Sequence, residues 1–245
     1  MMEQIITSWY SKRVEKEMPV AVYGHSGFAL LLLPTAAADY LEYERFLLIQ
    51  SIVSFIDEGK IKVFSIDSSN NESWMNDFIE PRQKAVKHRQ YNSYVFEEVI
   101  PFIKTHAGYN TDIFTCGASF GALHSMNLFL NRPDLINGVI AMSGVYDLTE
   151  YTKGYFDDDV YFNSPQHFIP NLNDHNILEQ IRKSQHIHLI TGSGAHEDPN
   201  ASRSFASILY SKAINYELDI WGSEWPHDWQ TWRTVLPHYL STRFY

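Results

Sequence analysis

The pentapeptide Gly117-Ala118-Ser119-Phe120-Gly121 is a G-x-S-x-G pattern that could supply a nucleophilic serine. A short apolar run ending at Cys116 precedes it, and apolar residues at helical spacing follow it. A tight strand-to-helix turn would push the Ser119 side chain outward, and only small neighbours fit such a turn. Backbone N–H groups at the start of a helix can stabilise an oxyanion. The pattern predicts that Ser119 is an acyl-accepting nucleophile.

A serine hydroxyl needs a base to remove its proton, and that base needs a carboxylate to orient it. On a strand–turn–helix scaffold of this kind, the chain order is serine, acid, histidine. His227 fits this order because it lies after the last predicted strand and just before the final predicted helix. We therefore predict that His227 is the base. The alternative interpretations are a surface histidine in a polar loop, and His238 as the base.

Two adjacent carboxylates compete for the role of the acid. The predicted strand 187–191 leads into a loop that contains Glu197 and Asp198. Asp198 directly precedes Pro199, which is typical of an N-cap residue whose side chain binds backbone N–H groups. That leaves Glu197 free to face the histidine, so we favour Glu197 and keep Asp198 as the alternative. Asp147, after the preceding strand, is a third candidate.

The oxyanion hole should combine the N–H group of Phe120 with a donor from the loop after the early apolar strand. That loop contains Ala36 and Ala37, whose small side chains would allow close approach to a carbonyl oxygen. For a substrate pocket, the sequence suggests aromatic residues near the carboxyl edge of the sheet. The three candidates are Trp74, Tyr161 and Trp225. The alternative for each of them is packing within the protein body.

Length, composition and charge limit the partners and the compartment that we expect for this protein. A length of 245 residues predicts one domain, 1–245. A net charge of −10 argues against nucleic acid or an anionic membrane surface as partner. No apolar run approaches the roughly 20 residues that span a bilayer, and no secretory signal is visible. The single cysteine suits a reducing compartment, so we expect a cytoplasmic protein, and a homo-oligomer is compatible with the sequence.

Predicted strands alternate with predicted helices along the chain. The strands are expected at 20–23, 29–33, 62–66, 113–116, 138–143, 187–191 and 216–221, and the main helices at 40–57, 83–105 (with a kink at Pro101), after 119, after 199 and after 229. This alternation predicts an α/β fold with a mostly parallel, doubly wound sheet and helices on both faces. The segment 144–172 is expected to be an irregular, lid-like insertion.

With these residues in place, the chain resembles the esterase D, feruloyl esterase and mycolyltransferase group of α/β hydrolases. The resemblance is carried by segments 33–44, 67–74, 116–122, 143–147, 160–165 and 221–229. It implies the α/β-hydrolase fold and ester hydrolysis with neither a metal nor an organic cofactor. It also implies a G-x-x-[D/E] loop for the acid, which Gly194 to Glu197 matches. Many relatives have glycines in the oxyanion loop where this chain has alanines.

The leading hypothesis is a serine carboxylesterase that cleaves a small or aryl acyl ester through an acyl-enzyme on Ser119. One alternative is an acyltransferase that uses the same intermediate, and another is a catalytically idle binding protein of the same fold. A metal-dependent hydrolase would need ligands such as His186, His188 and His196. No further spacing completes a recognisable ligand set, so we predict no metal and a small-molecule ester as the partner.

Overall fold

An eight-stranded sheet runs through the centre of the protein, in a computed structural model that describes residues 3–245. The strands are β1 Gln4–Ser11, β2 Lys16–Tyr23, β3 Phe28–Leu33, β4 Ile61–Ile66, β5 Ile113–Ala118, β6 Gly138–Met142, β7 Ile187–Thr191 and β8 Glu217–Ile220. Their spatial order is β1-β2-β4-β3-β5-β6-β7-β8. Strands β1, β2 and β4 pair antiparallel, and every pair from β4 to β8 is parallel. The predicted mostly parallel sheet is confirmed.

Helices cover both faces of this sheet. They are α1 Glu42–Arg45, α2 Leu48–Ser51, α3 Val53–Asp57, α4 Pro81–Tyr94, α5 Ile100–Ala107, α6 Phe120–Asn131, α7 Thr149–Thr152, α8 Asp158–Asn163, α9 Pro165–Asn171, α10 His175–Lys183, α11 Pro199–Ser211 and α12 Trp229–Tyr239. Two π-helical turns, Val95–Val99 and Leu240–Phe244, extend α4 and α12.

The side chains of each strand point alternately to the two faces of the sheet, which explains why there is a core on each face. In β3, Leu31 and Leu33 belong to the cluster under α4, α5, α6 and α11, whereas Leu30 and Leu32 belong to the cluster under α1–α3 and α12. Successive side chains of a strand point to opposite faces, so a strand buried on both sides must be apolar throughout. The run Phe28–Leu33 satisfies this requirement.

The chain departs from the sequence-based expectation in its first half. Strand β1 is absent from the sequence-based expectation, because it is an edge strand whose side chains are mostly exposed. The expected helix 40–57 is wrong, because it is divided into α1, α2 and α3. Leu47 adopts a left-handed conformation (φ 62°) between α1 and α2, and Ile52, with φ −112° and ψ 11°, lies between α2 and α3. The helix expected at 83–105 is interrupted by the π turn before Pro101, and the proline occupies the first turn of α5.

The segment 144–172 is more regular than the sequence indicates. It contains the three short helices α7, α8 and α9, each of four to seven residues. Helices this short carry little periodicity, and in proteins their stability comes from packing against the body. Within residues 3–245, the helices are all too short or too polar to cross a lipid bilayer.

Candidate active site

The turn between β5 and α6 holds Ser119 in a conformation that few non-glycine residues adopt. Its φ is 56° and its ψ is −120°, and its N–H group donates to the Met142 carbonyl at 2.9 Å. A Cβ on Gly117 would lie 2.3 Å from the Gly121 backbone, and a Cβ on Gly121 would lie 2.2 Å from the Leu33 carbonyl oxygen. Both positions therefore require glycine. The side chain of Ser119 is half-buried at the carboxyl edge of the sheet.

His227 lies in the loop between β8 and α12. Its backbone N–H group donates to the Ala195 carbonyl at 2.9 Å, which ties this loop to the loop that follows β7. The ring Nδ1 lies 3.3 Å from Glu197 Oε2, and the ring packs edge-on against Trp232 with centroids 5.2 Å apart. The side chain remains 23% exposed, so one edge of the imidazole is accessible to a substrate.

Glu197 accepts hydrogen bonds from several directions. Besides His227, its carboxylate accepts from Ser143 Oγ at 2.5 Å, from Thr191 Oγ1 at 3.0 Å and from the Gly192 N–H group at 3.3 Å. Burial of the carboxylate, whose side chain is 1% exposed, favours the neutral form. The hydrogen bonds from His227, Ser143 and Thr191 outweigh it and lower the pKa of Glu197. The carboxylate is thus kept ionised beside the imidazole.

Asp198 and Asp147, the two alternative candidates for the acid, have other hydrogen-bond partners. Asp198 is the N-cap residue of α11, where its Oδ1 accepts from the Asn200 N–H group at 3.0 Å. Asp147 accepts from the N–H and hydroxyl groups of Thr149. Neither forms a hydrogen bond to His227 in the structure. The geometry therefore favours Glu197 as the residue that orients the imidazole.

Three residues of this network were not identified from the sequence. Ser143 follows β6, Thr191 ends β7 and Trp232 lies in α12, where its Nε1 donates to Ser143 Oγ at 3.0 Å. Ser143 has a φ of 50°, so it too is held in the left-handed region. A polar residue at the carboxyl end of a parallel strand was the available signal for Ser143, since such residues line the edge where ligands bind.

Ser119 and His227 lie at the same edge of the sheet, after strands β5 and β8, which are separated by β6 and β7. Ala118 pairs with Met142, so Ser119 lies beside Ser143, which itself contacts Glu197. Within the described residues, the Ser119 hydroxyl and the imidazole of His227 form no hydrogen bond. Catalytic hydrogen bonds in ligand-free hydrolases are often long and tighten when substrate binds.

The loop that follows β3 offers backbone N–H groups near the serine. The Thr35 N–H group is already bound to Glu42 Oε2 at 2.9 Å, whereas no hydrogen bond within residues 3–245 uses the N–H groups of Ala36 and Ala37. The N–H group of Phe120 is also without an acceptor among these residues. These three N–H groups, and that of Ala38 in the same loop, are therefore free to bind an oxyanion.

Tyr43 joins this loop to the nucleophile turn. Its hydroxyl donates to the Leu33 carbonyl at 2.6 Å and accepts from the Ala118 N–H group at 3.2 Å. Burial raises the pKa of Tyr43 well above its usual value, with a further contribution from Cys116, so the hydroxyl stays protonated and able to donate. Tyr43 therefore fixes the distance between the ends of β3 and β5.

A cleft of about 330 Å³ lies beside His227. It is lined by residues from the loop after β6, from α7 and from the loop before α11: Ser143, Gly144, Val145, Tyr146, Asp147, Glu150, Tyr151, His196, Glu197, Asp198, Ala201 and His227. Neither lysine nor arginine occurs among these lining residues. Four carboxylates, those of Asp147, Glu150, Glu197 and Asp198, line it, so acidic side chains predominate in its wall.

The three predicted pocket aromatics are not among the residues that line this cleft. Trp74 is 1% exposed and packs against the ring of His88, while Tyr161 packs edge-on against its neighbour Phe162. Trp225 packs against Trp221, and its carbonyl accepts from the Gly194 N–H group at 3.0 Å. Sequence composition could not separate them from core residues, because a buried aromatic and a pocket aromatic have the same pattern. The aromatic residues that do line the cleft are Tyr146 and Tyr151.

Residues 7–242 match the protein family described as "Putative esterase". The chain belongs to this esterase family. This membership confirms the resemblance seen in the sequence and makes the protein an esterase. A search of curated proteins found no match to the esterase.

Several solved structures have the same fold, although their sequence identity to this chain is low. An S-formylglutathione hydrolase from Agrobacterium tumefaciens is 16% identical, with a TM-score of 0.73 over 97% of this esterase and 93% of that chain. The enzyme of the same description from Staphylococcus aureus is 15% identical, with a TM-score of 0.71 over 98% and 96%. A ferulic acid esterase from Anaeromyces mucronatus is 15% identical, with a TM-score of 0.72 over 99% and 91%. The α/β-hydrolase fold is confirmed.

The strand histidines that suggested metal ligation are engaged with each other. In the esterase, His186 Nδ1 lies 3.3 Å from His188 Nε2, and His188 Nδ1 lies 3.0 Å from Glu217 Oε2. Burial lowers the pKa of His188 to about 4, although Glu217 opposes this effect. His196 lies in the loop after β7, at the opposite edge of the sheet. Residues 3–245 contain no group of three or more side chains arranged to hold a metal ion.

Proposed function

We propose that the enzyme hydrolyses a small or aryl acyl ester through an acyl-enzyme on Ser119, with His227 as base and Glu197 as the acid. The observation that carries this proposal is the Glu197 carboxylate, which accepts a hydrogen bond from His227 and is itself held by three other donors. A carboxylate held in this way fixes both the tautomer and the direction of the imidazole. Its Nε2 is then left to face the serine.

In the first half of the reaction, Ser119 Oγ attacks the ester carbonyl carbon and its proton passes to His227 Nε2. The carbonyl oxygen becomes an oxyanion, which accepts hydrogen bonds from the N–H group of Phe120 and from an alanine N–H group of the loop after β3. The tetrahedral intermediate then collapses. The bond to the alcohol breaks, and the departing oxygen takes the proton from His227.

In the second half, water replaces the alcohol. His227 removes a proton from the water as its oxygen attacks the acyl carbon, and a second oxyanion forms in the same place. When this intermediate collapses, the bond to Ser119 breaks and the proton returns to Ser119 Oγ. The carboxylic acid leaves, and Glu197 remains ionised throughout because it only accepts a hydrogen bond from the imidazolium.

We also propose that the chain works as one domain and that the segment 144–172 is a lid over the cleft. It supplies Gly144, Tyr146, Asp147, Glu150 and Tyr151 to the cleft wall. Lys84 supports this wall, since its buried amine donates to the carbonyls of Trp74 and Tyr151. The lid would therefore determine which acyl or alcohol groups reach the serine.

The test combines substrates with covalent labelling. The wild type would be assayed on p-nitrophenyl acetate, methyl ferulate and S-formylglutathione, the last two being substrate types that the names of the structural relatives suggest. A fluorophosphonate should add to the wild type and not to Ser119→Ala, which should lose about 10⁴-fold or more in kcat. Partition of the product with added methanol would distinguish hydrolysis from acyl transfer.

A matched pair of variants distinguishes the role of Glu197 from that of Asp198. Glu197→Gln should lower kcat by about 10²- to 10⁴-fold, because the imidazole loses its orienting anion. Asp198→Asn should leave kcat almost unchanged, since asparagine caps a helix as well as aspartate does. Equal losses in the two variants, or labelling that persists in Ser119→Ala, would overturn the proposal.

A further inference from the structure

A few N–H groups in the loop after β3 are free to complete the oxyanion hole. Pro34 has no N–H group, and the N–H group of Thr35 is used by the buried carboxylate of Glu42. The N–H groups of Ala36, Ala37 and Ala38 remain without an acceptor among residues 3–245, and all three alanines are half-buried. The direction of each N–H group decides between them, and that direction depends on how the peptide planes are held.

The peptide between Ala36 and Ala37 is held by its carbonyl. The Ala36 carbonyl oxygen accepts from Ser68 Oγ at 2.8 Å and from Asn70 Nδ2 at 2.8 Å. In a planar trans peptide, the C=O and the following N–H group point in opposite directions. Fixing the Ala36 carbonyl therefore also fixes the Ala37 N–H group.

The order of the strands gives that direction. Ser68 and Asn70 follow β4, whereas Ser119 follows β5, and β3 lies between these two strands. The Ala36 carbonyl is drawn toward the loop after β4. The N–H group of Ala37 consequently points to the other side of β3, which is the side of the nucleophile.

Asn70 is held in turn by the nucleophile helix. Its Oδ1 lies 2.9 Å from Nε2 of His124, which comes five residues after Ser119, and both side chains are buried. Because Asn70 Nδ2 donates to Ala36, its Oδ1 must accept, and His124 Nε2 carries the proton. Burial lowers the pKa of His124 to about 3, so the ring is neutral at ordinary pH.

We infer that Asn70 is a positioning residue that directs the Ala37 N–H group at the oxyanion, and that His124 couples this N–H group to the helix bearing the nucleophile. This inference rests on the proposed function and names the second oxyanion donor within it. The hydrogen bonds from His124 to Asn70 and from Asn70 to Ala36 form one rigid connection between the two halves of the oxyanion hole. Ser68 supplies the second support of the same carbonyl.

The experiment compares Asn70→Ala with Asn127→Ala, a buried asparagine that binds the side chains of Asn163 and Asn131 instead. Both variants lose a buried amide, but only Asn70→Ala should lower kcat, by roughly 10- to 100-fold with little change in KM. It should also weaken binding of a trifluoromethyl ketone, which forms an oxyanion on the serine, by a similar factor. Binding of the product acid should change little in either variant.

Two further variants keep the inference testable if Asn70→Ala does not fold. Ser68→Ala should lower kcat by roughly tenfold, because it removes one of the two donors to Ala36. His124→Gln should retain more activity than His124→Leu, because the amide nitrogen of glutamine can donate to Asn70. An effect of Asn70→Ala and Ser68→Ala no larger than that of Asn127→Ala would overturn the inference.

Failure of the proposed function has a different signature. If the wild type reacts with a fluorophosphonate at Ser119 while the Asn70 and Ser68 variants keep full kcat, the triad stands and the positioning role is wrong. If Ser119 does not react in the wild type, the nucleophile itself is wrong, and the inference falls with it.

Discussion

Ser143 donates a hydrogen bond of 2.5 Å to Glu197, although 54 residues separate them in the chain. The same hydroxyl accepts from Trp232 Nε1, so the last helix, the loop after β6 and the loop after β7 meet at one oxygen atom. Ser143 holds Oε1 of the carboxylate, whereas His227 contacts Oε2. A single hydroxyl thus connects the proposed acid to the turn next to the nucleophile.

Removing the Ser143 hydroxyl should slow the reaction. Ser143→Ala leaves Glu197 with one donor fewer and Trp232 Nε1 without an acceptor, so we expect kcat to fall by about 10- to 100-fold. Ser143→Gly should lower kcat as much, but it should unfold at a higher temperature than Ser143→Ala, because glycine adopts the φ of 50° without strain. Steady-state kinetics and thermal unfolding measure the two effects. Unchanged kcat in both variants would contradict a role for the hydroxyl.

The ionisation of Glu197 should be visible in the pH dependence of stability. Its pKa is lowered in the folded protein, because the hydrogen bonds from His227, Ser143 and Thr191 outweigh the opposing effect of burial. A lowered carboxyl pKa stabilises the folded state above the ordinary glutamate value of about 4.3, and this stabilisation is lost as the pH falls through the folded value. The wild type should therefore exceed Glu197→Gln in free energy of unfolding near pH 7, and the difference should shrink below about pH 4.

Urea unfolding of both proteins at several pH values measures this difference. Taking the difference between the two proteins removes the contributions of the other carboxylates, which titrate alike in both. A difference that stays constant from pH 7 to pH 3 would show that Glu197 is not held as an anion.

Gly121 allows the oxyanion loop to approach the nucleophile helix. An added Cβ would lie 2.2 Å from the Leu33 carbonyl oxygen and 2.7 Å from the Pro34 carbonyl oxygen, both of which are backbone atoms. Gly121→Ala should therefore cost about 1–3 kcal/mol in stability and separate the two halves of the oxyanion hole. Gly108→Ala is the control, since only the side-chain oxygen of Thr111 lies within 4 Å of its added Cβ, at 3.3 Å. It should lose some stability from its φ of 104° but keep its kcat.

The sequence predicts a nucleophile, a base and an acid because each of these predictions depends on local chain order. A pattern of glycines around Ser119, a histidine before the last helix and a carboxylate after β7 can be read without knowing the contacts. The proline after Asp198 predicts that this residue caps a helix rather than facing the histidine, and Asp198 does cap α11. These inferences need only the parallel order of the strands.

Other features depend on contacts between distant segments, which the sequence pattern does not carry. Ser143 and Tyr43 take their roles from partners in other elements, and the left-handed Leu47 breaks a run that reads as one helix. Whether an aromatic residue faces a cleft or the core is also a tertiary property. For that reason Trp74 was expected in a pocket and lies in the core.

The charge of the cleft should select among substrates. Four carboxylates, Asp147, Glu150, Glu197 and Asp198, line it, and no lysine or arginine does. An ester with a cationic group should therefore be favoured over an anionic ester of the same size, by about tenfold in kcat/KM at low salt. A choline ester, its neutral isostere and a succinate monoester form a suitable series. The preference should weaken above 0.1 M salt, where the Debye length falls below about 10 Å.

Two variants that each neutralise one carboxylate test whether the cleft causes this preference. Glu150→Gln should reduce the discrimination between cationic and anionic esters, because the residue is exposed at the cleft wall. Glu179→Gln changes the net charge equally but lies on α10, outside the residues that line the cleft. The first variant should lose part of the preference and the second should keep it. Equal behaviour of the two variants would assign the selectivity to the overall charge of the protein rather than to this surface.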